Sequence, residues 1–138
     1  MFFCYVMALV YFLFFAESYG RMPHDRTYAY NLYPFREIGR FWTYREELGL
    51  FAVTANLAGN VIGFIPFGMI LPVICPRAAS FVRILLLSLE FSLCVEIIQL
   101  VFQVGSFDVD DIFLNTLGGV IGYLLFWVCN RLRRKLYG

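Results

Sequence analysis

The chain has 138 residues, enough for one domain, and 61% of them are hydrophobic and 20% aromatic. With a mean hydropathy of +0.73, a soluble domain of this size could not hide so much apolar surface, so the composition points to a membrane protein. A formal net charge of +1 argues against a nucleic-acid partner.

Four apolar runs follow in chain order, and they predict an all-α integral membrane fold. It is a single domain over 1–138, a bundle of four transmembrane helices at about 2–19, 56–74, 84–104 and 111–129. The last three runs are each about 18–21 residues, or about 27–31 Å as helix, which matches the hydrocarbon core. The first, Phe2 to Ala16, extends to Tyr19. It lacks a basic leader and is followed by Glu17, Ser18, Tyr19, Gly20 and Arg21 rather than a small-residue cleavage site. It therefore reads as a retained helix and not a signal peptide.

The connection from Gly20 to Ala55 is long, aromatic and rich in arginine. Amphipathic rings beside Arg suit the headgroup zone. Pro34 ahead of Phe35-Arg36-Glu37-Ile38 predicts the start of a short interfacial helix there. The second connection carries Arg77 and Arg83, the third is acidic, and the tail carries Arg131, Arg133, Arg134 and Lys135. With four spans, the termini share a side with the second connection. Six Lys/Arg lie on that side close to helix ends, against five spread through the first loop. The positive-inside rule then puts both termini in the cytoplasm. The acidic third connection faces outward.

In this topology the start of the second span, the end of the third and the start of the fourth meet at one membrane face. Polar residues gather there. Asn56 and Asn60 are spaced i, i+4. Glu96, Gln99 and Gln103 are spaced i, i+3, i+7, and Asp108, Asp111 and Asn115 repeat that pattern. An ionisable group at the bilayer centre costs roughly 2.5–3.5 kcal/mol on insertion scales, so such residues are usually in use. Three stripes at one depth predict a shared, water-accessible cleft. Gly59 and Gly63 continue the asparagine stripe, and Gly118, Gly119 and Gly122 continue the last one. Small-xxx-small spacing lets helices approach closely in lipid. Pro66 is expected to bend the second span below the cleft.

A plainer reading stands beside this one. Asp108 and Asp110 can simply start a helix, and the asparagines can bridge helices by hydrogen bonds. Glu96 lies well inside its span, away from a favourable helix start, and needs a partner or a function. Glu90 falls off that stripe and is expected to pair with a base such as Arg83. The cysteines at 4, 75, 94 and 129 form no CxxC and read as small buried hydrophobes. The single His24 lies in a loop. There is no Ser/His/Asp set, no HExxH and no phosphate-cradling glycine loop, so no metal-ligand motif and no particular cofactor is indicated. Carboxylates and amides suit a cation, a hydroxyl-rich headgroup or an amine, and oxygen-ligated Mg²⁺ or Ca²⁺ is compatible with them. Glu96 and Asp111 are also candidates for acid–base catalysis.

Four segments together resemble the VanZ-like family of small bacterial membrane proteins. They are YNLYPF (Tyr30 to Phe35), NLAGNVIGFIPFGMILP (Asn56 to Pro72), VEIIQL (Val95 to Leu100) and FDVDDIFLNTLGGVIGY (Phe107 to Tyr123). The family pattern maps onto Asn56, Asn60, Pro66, Gly68, Glu96, Gln99, Asp108, Asp111, Asn115, Gly118, Gly119 and Gly122. Where many members carry an Arg before the acidic motif, this chain has Gly105-Ser106, leaving Arg36 or Arg40 to balance an acid. The family takes its name from a member that lowers susceptibility to the glycopeptide antibiotic teicoplanin. The resemblance implies a role in the cell envelope at the bacterial cytoplasmic membrane. The partners it implies are the lipid bilayer and an envelope lipid or glycopeptide ligand. A membrane-embedded enzyme acting on a lipid-linked substrate, a small carrier and a structural assembly module remain alternatives.

Overall fold

A computed structural model describes residues 2–16, 30–43, 50–103 and 106–137. Its elements in chain order are α1 (Phe2–Ala16), β1 (Tyr30–Asn31), α2 (Arg36–Thr43), α3 (Leu50–Ile74), a 3₁₀ turn (Pro76–Ala78), α4 (Phe81–Phe102), β2 (Phe107–Asp108) and α5 (Val109–Tyr137). Among the described residues, three stretches are long and apolar enough to cross a membrane: Leu57–Ile74, Phe81–Phe102 and Val109–Leu136. Their outward surfaces carry exposed Ile62, Leu86, Phe102, Leu124 and Val128. A helix satisfies all its interior backbone groups internally, so such a surface can sit in hydrocarbon. The protein is a multi-pass membrane protein.

Helix limits depart from the apolar runs for reasons of chemistry. α3 starts at Leu50, not 56, because Asn56 lies within a helix already begun by Leu50-Phe51-Ala52. α5 runs on to Tyr137, since Arg131, Arg133, Arg134 and Lys135 are good helix formers that end the apolar stripe without ending the helix. α3 also continues through Pro66 and Pro72. α4 stops at Phe102, with Gln103 in the left-handed region (φ 54°) as its C-cap. The expected extensions to Tyr19 and to residue 104 lie outside the described residues.

α5 is the common partner of the other spans. It packs most extensively along α3 and next along α4. The α3–α5 seam is a close approach of backbones. A Cβ on Gly68 would run into the Gly119 carbonyl, one on Gly118 into the Val61 carbonyl, and one on Gly122 into the Ile65 carbonyl. On the α4 side, a Cβ on Gly119 would strike the Ser88 hydroxyl. Gly63 faces a different neighbour: its added Cβ would sit 3.1 Å from Leu9 of α1. The Tyr5 hydroxyl donates to the Gly63 carbonyl at 2.6 Å, so α1 leans on α3. Phe64, Phe67 and Phe91 fill the space between α3 and α4, with Phe67 and Phe91 stacked at 5.1 Å between ring centroids.

One sequence reading is corrected. The four cysteines are exposed on the protein surface rather than buried in it. An apolar position in a membrane protein can face lipid as readily as the core, so hydropathy does not tell the two apart. The fold is helical as expected, with one small addition. β1 and β2 form a two-residue parallel pairing, Tyr30 opposite Phe107 and Asn31 opposite Asp108. Two residues are too few to leave a period-2 pattern.

Gly68→Ala and Gly122→Ala should each destabilise the detergent-purified protein by about 1–3 kcal/mol, the usual cost of forcing atoms into a packed seam. Gly39→Ala, where an added Cβ meets nothing within 4 Å, should leave the melting temperature unchanged or slightly raised. Thermal unfolding followed by fluorescence-detected gel filtration compares the three.

Candidate functional site

The start of α5 organises the polar residues. The first N–H groups of a helix have no partner within it, and leaving them bare in apolar surroundings is costly. Here side chains from three elements supply the acceptors. Asp108 stands at the N-cap, and its Oδ1 accepts the Asp110 N–H at 2.8 Å. The Asp108 N–H itself donates to Glu96 Oε2 of α4 at 2.9 Å. Glu96 is therefore a buried carboxylate (2% exposed) held against the positive end of the α5 dipole. Asn31 of β1 adds a third link, donating from Nδ2 to Asp108 Oδ1 at 3.2 Å. Its own Oδ1 accepts the Tyr33 N–H at 3.2 Å.

Asp110 reaches the other way. Its carboxylate accepts the Phe35 N–H at 2.5 Å and the Ile38 N–H at 3.3 Å. It thus caps α2, a helix far from it in sequence. Phe35 occupies the N-cap position of α2 and has no side-chain acceptor of its own to offer. It also takes the left-handed conformation (φ 64°), which costs an L-residue roughly 1–2 kcal/mol. The Asp110 bonds, together with an edge-to-face contact between the Phe35 and Phe113 rings at 6.0 Å, offset that cost. Asn31 carries no sequence signal, and Asp110, expected to start its own helix, caps α2 instead. The available signal was Phe35 itself: a helix start without Ser, Thr, Asp or Asn at its N-cap needs an acceptor from elsewhere.

Two further links tie the spans together deeper in the bundle. Asn60 of α3 donates from Nδ2 to Asp111 Oδ1 at 2.5 Å. Asn115 of α5 donates from Nδ2 to the Ser92 hydroxyl of α4 at 2.9 Å. Asn115, Ser92 and Ser88 are fully buried, and Gln99 is 2% exposed, whereas Asp111 stays partly exposed. Among the described residues, Asn115 Oδ1 and Ser88 Oγ have no hydrogen-bond partner. The serines escape a search for charged stripes because a hydroxyl barely changes hydropathy. Their spacing with Glu96 (88, 92, 96) puts them on one face of α4.

Other expected members lie elsewhere. Gln103 is exposed at the α4 C-cap and leaves the polar stripe, because its left-handed backbone ends the helical phase. The side chains of Asn56 and Arg40, and Gly105, lie outside the described residues. Arg36 is exposed in the first turn of α2. Glu90 is exposed, and Arg83 donates to the Arg77 carbonyl across the short turn.

A family model described as VanZ/LLP1 matches residues 2–130. The chain belongs to the VanZ/LLP1 family. It is 34% identical over 134 residues to Protein VanZ of Enterococcus faecium, an alignment covering 92% of this chain and 71% of that protein. No solved structure matches it.

For a VanZ/LLP1 chain the geometry gives the motif residues distinct tasks. Glu96 and Asp108 close the start of α5. Asp111 and Asn60 join α5 to α3. Gly68, Gly118, Gly119 and Gly122 set how closely the helices approach. The cluster concentrates four carboxylates at one end of the bundle, those of Glu96, Asp108, Asp110 and Asp111, each accepting hydrogen bonds. Chemically it can accept hydrogen bonds from hydroxyls and amines and can attract cations. Among the described residues no group of three or more His, Cys, Asp or Glu is placed to hold a metal ion.

Replacing Glu96 by Ala removes the acceptor of a buried N–H and should cost about 1–3 kcal/mol. Glu96→Gln keeps an acceptor oxygen and should cost less; melting temperatures in detergent give the comparison. Asp110→Ala should uncap α2, a loss of about 0.5–2 kcal/mol. It should speed hydrogen exchange at the Phe35 and Ile38 amides while the interior of α4 stays protected.

Proposed function

We propose that this protein is a four-span VanZ-like protein of the bacterial cytoplasmic membrane. α1 is its fourth span, and α2 lies along the interface. The polar end of the bundle is a cleft that acts on or shields a cell-envelope component, conferring tolerance to a glycopeptide such as teicoplanin. The observation that carries this reading is the convergence of Glu96, Asp108 and Asp111 where three apolar helices meet. Glu96 and Asp108 serve as caps, and together with Asp111 they leave a concentration of carboxylate oxygens at one end of the bundle that suits a ligand rich in donors. The family match supports the envelope role. The crowding of Arg77, Arg83 and the basic tail at the opposite helix ends supports cytoplasmic termini, which turn the cleft outward. Asp111 would stand at its exposed edge, with Asn60, Gln99 and Asn115 buried behind it.

The second reading is membrane-embedded acid–base catalysis on a lipid-linked substrate. It draws on the contrast between two neighbouring carboxylates: Glu96 is buried against a backbone N–H, and Asp111 is partly exposed. Enzymes often assign acid and base roles to carboxylates in unlike environments.

Expression in a glycopeptide-sensitive host should raise the minimum inhibitory concentration of teicoplanin. Asp111→Asn keeps an acceptor for Asn60 but removes the charge, and it should abolish that rise while the protein still reaches the membrane at wild-type level. Unchanged teicoplanin susceptibility with the wild-type chain would sink the tolerance role. Catalysis is tested separately, by a product from labelled envelope lipids that vanishes in Glu96→Gln.

A further inference from the structure

At the far end of α5 from the polar cluster, α3 and α5 part. Just past the Gly122 contact they line an open groove of about 670 Å³. Met69 and Val73 of α3, Phe126 of α5 and Pro76 in the turn after α3 line it. Its rim is polar and basic: Asn130, Arg133 and Arg134. Asp111 and Asn130 are separated by about 28 Å of helix, so this groove is distinct from the polar site and independent of the function proposed for it.

The lining fixes the chemistry of an occupant. Val73 and Met69 are exposed (64% and 38%) and apolar, as suits a hydrocarbon chain. Two guanidinium groups line it, and among the described residues no carboxylate does. Arg133 is steadied by donating to Asn130 Oδ1 at 3.1 Å. Arg131 turns elsewhere, its guanidinium 5.2 Å from the Trp127 ring centroid. The volume falls in the range of ordinary ligand pockets. Guanidinium forks match phosphate oxygens, and basic pockets between spanning helices at the membrane edge suit anionic headgroups. We infer that this groove binds one anionic phospholipid, its phosphate on Arg133 and Arg134 and an acyl chain against Met69, Val73 and Phe126.

Native mass spectrometry of the full chain in mild detergent tests this, with phosphatidylglycerol and phosphatidylcholine of identical acyl chains as probes. The wild type should retain phosphatidylglycerol at least about tenfold better, given two arginines at the rim. The double variant Arg133→Gln, Arg134→Gln should lose that preference. Arg131→Gln, an equal loss of charge per residue outside the groove, should keep it. Val73→Phe places bulk on the exposed wall and should weaken retention of phosphatidylglycerol without changing net charge. Equal retention of the two lipids by the wild type overturns the site. So does a preference that Arg131→Gln removes as fully as the double variant, or one that Val73→Phe leaves untouched, because either result makes the tail a diffuse basic patch.

Discussion

A helix that begins among apolar surroundings must find acceptors for its first N–H groups, and α5 begins in such a place. Glu96 accepts the Asp108 N–H and Asp108 accepts that of Asp110. Most of the polar architecture follows from this demand. Satisfying it brings the end of α4 against the start of α5. It also fixes where β1 can pair, because Asn31 meets the same Asp108 carboxylate. The carboxylates that look costly in hydrocarbon stand at the positive end of a helix dipole, where negative charge is favoured.

The rest of the bundle follows a second rule. Below the polar end, α3 and α5 approach so closely that backbone oxygens occupy the space of missing Cβ atoms at Gly68, Gly118 and Gly122. Packing of this kind supplies helix association in lipid, where burial of apolar surface gives no advantage. Hydrogen bonds set register at one end and glycines set distance along the seam. Asn115 and Gly119 sit where the two meet, one bonded to Ser92 and the other against Ser88.

Much of this was legible in the sequence, and the remainder was hidden for identifiable reasons. Hydropathy marks the three long spans, since a soluble fold rarely carries an apolar run of bilayer length. Helical phase places Glu96 and Gln99 on one face of α4, and both are buried there. Phase fails at Gln103, where the helix stops one residue earlier than an extrapolated stripe requires. Spacing identifies small residues but not their neighbours: Gly63 faces α1, whereas Gly68 meets Gly119. Ser88 and Ser92 were invisible to a search for charge. The Asn31–Asp108 and Asp110–Phe35 links join residues more than 70 positions apart, and no local pattern encodes such a pair.

The capping of α2 by Asp110 bears on how the chain is made. The eight residues of α2 are too few for a stable isolated helix, and its N-cap residue, Phe35, has no side-chain acceptor. The carboxylate that closes it comes 75 residues after Phe35, a delay of roughly 4–15 s at ordinary rates of synthesis. During that interval α3 and α4 emerge and can enter the membrane while α2 still lacks its Asp110 cap. α2 is therefore capped only once α5 has begun, and the carboxylate that caps it belongs to the third long span.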